Sequence, residues 1–319
     1  MATAPSTEHR KGHERPRRRP RRDAGPDPLE LIGQNRALPY LYSAPALLTI
    51  AVVLAFPVGY AIYQSTLDSP FVGLDATFVG FDNYVQLVQD RSFWAALSRS
   101  LVFVTGCVVI GQVIAVSFAF VLNAFATRMR FVRGLVILPY IVSSVALAVM
   151  FRVTFNQDLG IPNRLLGLFG VEGPAWLADP TLAMVVVIVA QVWSDAPLSV
   201  LLVLGGLQTI DKALMDAAVV DGATGWKRAR LVSLPLIAPQ LVLSTLWLSY
   251  TSFTTLGVIL ALTGGGPGTA TRTLTMEMYS TAFRGLDFYG AMAIAVILLL
   301  CNVVLSAFYL RLARRYDVG

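Results

Sequence analysis

Residues 211–235, DKALMDAAVVDGATGWKRARLVSLP, decide the fold of this chain, because this polar and basic segment lies between two long apolar runs. Asp211 suits the N-cap of a helix, since its carboxylate can accept hydrogen bonds from the free N–H groups of the first turn. An apolar stripe at i, i+3 and i+4 begins at Met215. Gly222 can adopt the left-handed conformation that ends a helix. The pattern therefore predicts a short helix between Asp211 and Gly222.

A second short helix is predicted after that turn, over residues 225–232. Pro235 follows it and would suit the first turn of the next long helix, where a missing N–H costs nothing. Two short helices joined at Gly222 would form a compact knob. Ala217, Ala218 and Ala223 would keep this knob slim enough to enter a cleft on another protein.

Composition assigns the chain to the membrane proteins. Of its 319 residues 55% are hydrophobic and only 14% are charged, which is unusual for a soluble domain. Several uncharged runs exceed the roughly 18 residues that cross a bilayer as a helix. We therefore predict an all-α, polytopic membrane protein. Its six transmembrane helices are expected at 38–64, 100–126, 132–152, 181–206, 236–262 and 288–311.

The distribution of basic residues predicts the topology. If the spans alternate and the N-terminus is cytoplasmic, 19 of the 25 Lys and Arg residues lie on the cytoplasmic side. Cytoplasmic loops of membrane proteins carry such an excess. Both termini are therefore expected in the cytoplasm, together with the segment 211–235.

Residues 1–36 are rich in Arg, Pro and charge, and we expect a disordered tail. The basic run Arg17–Arg22 precedes the first span, so attraction to anionic lipid explains it better than nucleic-acid binding does. The domain prediction is a tail at 1–36 and a transmembrane domain at 37–319. Nucleic acid is not expected as a partner.

Catalytic and metal-binding patterns are missing from the sequence. Both histidines, His9 and His13, lie in the tail, and Cys107 and Cys301 form no spaced pair. The phosphate-binding pattern G-x-x-x-x-G-K-[ST] is absent as well. We therefore expect no catalytic residues, no metal site and no cofactor on this chain, and a membrane-anchored enzyme is disfavoured.

The segment 211–235 resembles the "EAA" loop of permeases from ATP-binding-cassette (ABC) importers. It contains D-A-A at Asp216, Ala217 and Ala218, then after two residues D-G-A at Asp221, Gly222 and Ala223, and finally L-P at Leu234 and Pro235. The one departure is Asp216, where the family usually has Glu. The resemblance implies that these eight residues couple the permease to an ATPase. We call residues 207–235 the coupling segment.

Three other stretches resemble the carbohydrate-importer branch of that family. They are FVGFDNY at 78–84, WLADP at 176–180 and LTGGGP at 262–267. They are most similar to the first of the two permease subunits in maltose and glycerol-3-phosphate systems. Within the last stretch, Gly264, Gly265, Gly266 and Pro267 are expected to form a tight turn at the outer mouth, in contact with a binding protein.

The resemblance implies a type I importer architecture and a set of partners. These would be a second permease subunit, two ATP-binding subunits, an extracytoplasmic solute-binding protein and membrane lipid. ATP and magnesium would be bound by the ATPase partner, so this chain itself would not be an enzyme. The location would be the bacterial cytoplasmic (inner) membrane, crossed several times. The solute would be a di- or oligosaccharide or a glycerol-phosphate compound, moved by alternating access.

Polar residues inside the predicted spans are candidates for the substrate cavity. Asp195 stands out, because an acid at that depth costs roughly 2.5–3.5 kcal/mol on insertion and therefore needs a partner or water. Carboxylates and amides suit sugar hydroxyls, and aromatic rings suit sugar C–H faces. The candidates are Gln191, Trp193, Asp195, Tyr250 and Asn302. Equally open is that Asp195 pairs with the second permease or lies at the cytoplasmic end of the cavity.

Two alternatives remain at this level. An ABC importer for another solute, such as a polyamine or iron, would have the same coupling segment, so LTGGGP and FVGFDNY are the discriminating stretches. A stand-alone secondary transporter would need a coupling-ion site and usually internal repeats. We find no convincing repeat between the two halves of the sequence.

Overall fold

The computed structural model of the chain describes residues 38–69, 76–125 and 134–316. The predicted tail at 1–36 lies outside these residues. The chain divides into two compact units, Met1–Pro57 and Val58–Gly319. Among the described residues, the first unit covers 38–57 and the second unit begins at Val58.

The described residues are almost entirely helical, with one two-stranded antiparallel ladder. In chain order, the elements are α1 (Leu38–Ile50), a π-helical turn (Ala51–Ala55), α2 (Phe56–Gln64), β1 (Leu67–Asp68), β2 (Thr77–Phe78), α3 (Asp82–Gln89), α4 (Arg91–Ala124), α5 (Leu138–Ile141), α6 (Ser144–Thr154), α7 (Ile161–Leu168), α8 (Pro180–Thr209), α9 (Lys212–Val220), α10 (Gly225–Arg228), a second π-helical turn (Ala229–Ser233), α11 (Leu234–Leu236), α12 (Ala238–Thr254), α13 (Gly257–Leu262), α14 (Leu274–Phe283) and α15 (Phe288–Tyr316).

Among the described residues, four helices are long and apolar enough to cross a membrane: Tyr42–Gln64, Arg91–Ala124, Pro180–Thr209 and Phe288–Arg314. The other two predicted spans are bent pairs, Gly134–Ile141 with Ser144–Thr154 at 93° and Gly225–Leu236 with Ala238–Thr254 at 76°. Counting each pair as one span gives six. The predicted number is therefore reached, but two of the six spans are not continuous helices.

Two predicted span boundaries were wrong. The second span begins at Arg91 rather than 100, because Asp90 caps it by accepting from the Ser92 N–H at 2.8 Å. Both hydrogen bonds from Ser92 lower the pKa of Asp90 below its ordinary value, since they stabilise the carboxylate. The fifth span ends at Thr254, and Gly257–Leu262 is a separate helix. The connection between the third and fourth spans contains a further helix, α7.

The core is formed where α4 crosses α8, with small residues at the contact. Cys107, Gly111, Ala115 and Ala119 recur every four residues along α4, and all are buried. A Cβ on Gly111 would lie 3.1 Å from the Leu248 side chain of α12. Small residues at this spacing let helix backbones approach closely, as in other membrane bundles. The same close approach occurs at Gly206, where a Cβ would lie 2.8 Å from Gln240 Cγ.

The two ends of the bundle can be distinguished by α8. Its first residue follows the N-cap Asp179, whose carboxylate accepts from the N–H groups of Thr181 and Leu182. Its last residue, Thr209, lies at the start of the coupling segment. Thirty residues of α-helix span about 45 Å. The coupling segment therefore lies at one end of the bundle, and the N-terminus of α8 lies at the remote end.

Candidate coupling segment and buried polar cluster

The first helix of the coupling segment begins where it was predicted. Asp211 is the N-cap of α9, and its Oδ1 accepts from the Ala213 N–H at 2.8 Å. The Asp211 carbonyl accepts from the Met215 N–H at 3.2 Å. The side chain of Met215 lies 3.9 Å from the Ser233 hydroxyl, which connects α9 to the second π-helical turn.

The helix ends at Gly222, whose φ is +80°. The Ala223 N–H donates to the Ala218 carbonyl at 2.9 Å, and the Gly222 N–H donates to the Val219 carbonyl at 3.0 Å. These two bonds form a Schellman motif, in which a residue with positive φ satisfies the last carbonyls of a helix. The predicted helix end and the predicted left-handed conformation of Gly222 are both confirmed.

The second half of the coupling segment differs from the prediction. A helical stretch begins at Gly225 as expected, but it continues through the π-helical turn to Leu236. The bend is at Ile237, and the proline in the first turn of α12 is Pro239. The assignment of Pro235 to that turn was therefore wrong. Pro235 lies in α11, directly after the π-helical turn, where the usual i→i−4 hydrogen bonding is already interrupted.

Most of the predicted coupling residues are accessible. Asp216, Ala217, Asp221, Gly222 and Pro235 are exposed, whereas Ala218 is buried and Ala223 and Leu234 are half-buried. Large apolar side chains accompany them: Val220 is 87% exposed and Trp226 is 72% exposed. Exposed apolar patches rimmed by polar groups are typical of protein interaction sites. The end of the bundle thus presents a firmly terminated helix with an apolar edge.

A buried polar cluster lies at the middle of α8. Gln191 donates from Nε2 to Asp195 Oδ2 at 2.7 Å, and the Thr255 hydroxyl donates to Gln191 Oε1 at 3.0 Å. Gln191 and Asp195 are almost fully buried. Thr255 is in the break between α12 and α13. The cluster therefore joins α8 to a point where the fifth span stops being helical. The Ser199 hydroxyl is also buried and has no hydrogen-bond partner among the described residues. The buried Ser252 hydroxyl lies within hydrogen-bonding reach of the Cys107 thiol.

The other three cavity candidates lie apart from this cluster. Trp193 is 37% exposed, and its ring packs edge-on against Phe151 at a centroid distance of 6.2 Å. It lines an apolar cavity together with residues of α4 and α5. Tyr250 is exposed. Asn302 donates to the Leu298 carbonyl of its own helix at 2.9 Å. Two of the five candidates therefore contact one another, and Thr255 joins them.

The glycine-rich loop after α13 forms the expected tight turn. Gly264, Gly265 and Gly268 have φ values of +63°, +93° and +58°. The Thr271 hydroxyl donates to the Gly266 carbonyl at 2.8 Å, and the Thr263 and Thr271 hydroxyls lie 2.7 Å apart. The region is thus held by side chains as well as by its own backbone.

Two arginines that the sequence reasoning did not single out brace this loop. Arg99 of α4 donates to the Thr269 hydroxyl at 3.0 Å, and Arg152 of α6 donates to the Leu262 carbonyl at 3.3 Å. Their position in the sequence could have drawn attention to them. Each is a charged residue next to an apolar run, on the side of the membrane predicted to carry few Lys and Arg residues. Within the described residues, no group of three or more His, Cys, Asp or Glu side chains could hold a metal ion.

A scan against protein families and a search of known proteins agree on the relatives of this chain. Residues 108–318 match the family described as "Binding-protein-dependent transport system inner membrane component". The sn-glycerol-3-phosphate transport system permease protein UgpA of Agrobacterium fabrum is 32% identical over 289 residues, which cover 89% of this chain and 97% of that protein. The sulfoquinovosyl glycerol transport system permease protein SmoG of the same organism is 30% identical, with coverages of 89% and 92%. The UgpA of Yersinia pestis is 36% identical, with coverages of 87% and 94%.

The fold is also found among solved structures. A chain of the crystal structure of a bacterial ABC transporter involved in the import of the acidic polysaccharide alginate matches with a TM-score of 0.75 and 21% identity. The match covers 91% of this chain and 99% of that one. At this identity the match shows that the two chains share a fold. The family match, the curated relatives and this fold show that the chain belongs to the binding-protein-dependent transport system inner membrane components, the permeases of ABC importers.

Proposed function

We propose that this permease imports a carbohydrate or a glycerol-phosphate-type solute, with ATP hydrolysed on separate partner subunits that dock on the coupling segment. The observation that carries the proposal is the geometry of α9: a capped helix, ended by Gly222, with exposed acids and an exposed apolar edge. A rigid protrusion of this kind can transmit motion from a docked partner to the bundle.

The path of that motion follows the chain. The Ser233–Met215 contact joins α9 to the π-helical turn, and that turn leads through α11 to the bend at Ile237 and into α12. α12 ends beside Thr255, which is hydrogen-bonded to Gln191 in the buried polar cluster. Displacement of α9 would therefore move the buried polar cluster near the middle of the membrane. Two breaks in one span supply the hinges that alternating access needs.

We place substrate contact at the buried polar cluster. Its amide, carboxylate and hydroxyl groups can exchange hydrogen bonds with sugar or glycerol hydroxyls, and the buried hydroxyls of Ser199 and Ser252 are two further candidate groups. Irregular backbone at membrane depth is tolerated where it is buried or lines a cavity, and the break at Thr255 has this character. Trp193, Tyr250 and Asn302 would then serve packing or partner contacts instead.

The proposed assembly has a second permease, two ATP-binding subunits and a solute-binding protein. The coupling segment would face the cytoplasm, both termini would lie on that side, and Gly264–Pro267 would meet the binding protein at the remote end. The distribution of Lys and Arg supports this orientation. Magnesium and ATP would be bound by the partner subunits.

The class of solute rests on the relatives, whose names specify sn-glycerol-3-phosphate and sulfoquinovosyl glycerol. A polyamine or iron importer is the competing assignment, whereas membership of the permease family removes the stand-alone secondary transporter. The test is a thermal-shift screen of the cognate binding protein, followed by uptake of the best ligands into vesicles that contain the whole transporter. Stabilisation by sugars or glycerol-phosphate compounds is expected. Stabilisation only by a polyamine or an iron chelate would contradict the proposed solute class.

Charge reversal at Asp216 should weaken ATPase coupling. The side chain is exposed on α9, so an acid of either length can pair with a basic group of the partner, and Asp216→Glu should be tolerated. Asp216→Lys should reduce the stimulation of ATPase activity by substrate-loaded binding protein, while α9 itself persists because Lys is a good helix former. Asp158→Lys, an exposed acid between α6 and α7, is the matched control. Equal stimulation in Asp216→Lys and the unaltered protein would show that this acid faces solvent.

A further inference from the structure

An apolar helix face lies uncovered at the remote end of the bundle, outside both functional regions described above. It belongs to α7, which follows the third span. We define the α7 face as Ile161, Leu165, Leu168 and Phe169, which recur at the spacing of one side of a helix. All four are exposed, Leu168 and Phe169 by 79% and 82%. A water-facing helix would not carry such a stripe.

The orientation of this face is fixed by the rest of the protein. Asn163 donates from Nδ2 to the carbonyls of Gln157 and Pro174, at 2.8 and 3.1 Å, and accepts from Trp176 Nε1 at 2.6 Å. Trp176 is three residues before the N-cap of α8. The polar side of α7 is therefore fastened to the start of a membrane span, and its apolar side is held outward.

The end of α7 is equally well defined. Gly170 has a φ of +73°, its N–H donates to the Gly167 carbonyl at 3.0 Å, and the Val171 N–H donates to the Leu166 carbonyl at 3.1 Å. This is a second Schellman motif in the chain. The exposure of Leu168 and Phe169 is thus a feature of a regular, closed helix and not of an open loop.

A second exposed apolar stripe lies on α6, the helix of the third span that precedes α7 in the chain. Val145, Val149 and Val153 recur every four residues on α6, and all three are exposed. α6 runs alongside α8 towards its N-terminus, because Phe151 contacts Trp193 and Phe155 contacts Trp176 at 5.5 Å. The chain leaves α6 at this end and enters α7 six residues later.

We propose that α7 is an interfacial helix whose apolar face is inserted in the lipid leaflet at the remote end of the bundle. Amphipathic helices in this position bury their apolar side to a depth of about 5–10 Å at the headgroup boundary. Arg164, at the edge of the face, can reach the headgroups with its guanidinium group. The hydrogen bond between Asn163 and Trp176 then connects the membrane-inserted helix α7 to the first turn of α8.

A soluble binding protein fits this face less well than lipid does. Interfaces that form and separate are about as apolar as ordinary protein surface. A purely aliphatic and aromatic stripe would be left in water between docking events, whereas lipid is always present. The glycine-rich loop, with its backbone carbonyls and hydroxyls, is the more suitable surface for reversible docking.

The test uses the intact transporter in vesicles, with Cys107 and Cys301 replaced by Ala. Single cysteines at Leu168, at Leu165 on the same face, or at Asp158 as an exposed polar control are labelled with a fluorescent probe. Brominated phosphatidylcholine should quench the probe at positions 168 and 165 several-fold more strongly than at position 158, and aqueous iodide should show the reverse order. Retained uptake in each variant confirms that the transporter is assembled.

Three results would overturn the proposal. Iodide quenching at position 168 as strong as at 158 would place the face in water. Protection from both quenchers would mean that another subunit of the transporter covers it. Iodide quenching that disappears only after the binding protein is added would identify the face as a docking surface for that protein.

Discussion

Gly222→Val should abolish substrate uptake while the permease still reaches the membrane. The φ of +80° at this position costs an L-residue about 1–2 kcal/mol, and a β-branched side chain tolerates it least. The Schellman bonds from Gly222 and Ala223 would be lost, so α9 would fray where the proposed ATPase contact is made. The measurements are uptake into vesicles and co-purification of the ATPase subunit.

Gly222→Asn is the matched control for this prediction, since Asn is the other residue that commonly occupies such a position. Within this chain, a Cβ at Gly222 would meet no atom within 4 Å, so the chain itself has room for a side chain. We expect Asn to preserve more coupling than Val. Normal uptake and normal co-purification in the Val variant would refute the assignment of the coupling segment.

Asp195→Ala should reduce the initial rate of uptake by about tenfold or more. The change leaves the buried Gln191 Nε2 without an acceptor, which costs roughly 1–3 kcal/mol, and it removes the proposed acceptor for a substrate hydroxyl. Asp195→Asn keeps an oxygen for Gln191 and should have a smaller effect. Both variants should still bind the ATPase, because the coupling segment is unchanged.

Ser117→Ala is the control for the polar cluster. Ser117 is an exposed residue of α4 that donates to the Val113 carbonyl of its own helix at 2.7 Å, so its loss should leave uptake unaltered. If Asp195→Ala transports at the normal rate at every substrate concentration, the cluster is a packing device and substrate contact lies elsewhere.

The first helix of the coupling segment was predictable because its geometry is local. Asp211 as N-cap and Gly222 as helix end are decided by the backbone within a few residues, and those signals appear directly in the letters. The number of spans followed from the lengths of apolar runs. The bends at Val142–Ser143 and at Ile237 were not predictable in this way, since hydropathy counts apolar residues and is blind to a change in helix direction.

The buried polar cluster was only partly predictable, because one of its hydrogen bonds joins residues that are far apart in the sequence. Gln191 and Asp195 are four residues apart on one helix, so their contact is a matter of helical spacing. Trp193 lies between them in sequence and on another side of α8, which helical geometry implies but a residue list conceals. The pairing with Thr255, 64 residues away, depends on how α8 packs against the broken fifth span. No local pattern could reveal it.

The Schellman turn at Gly222 also bears on how this transporter can change its partners. Main-chain hydrogen bonds and one glycine hold the turn, so the exposed side chains of α9 contribute little to keeping it closed. Substitutions at such positions usually alter stability by less than about 0.5 kcal/mol. If the proposed ATPase docks on α9, exposed residues of the helix can therefore change one at a time and alter the choice of partner, while the turn that ends the helix is retained.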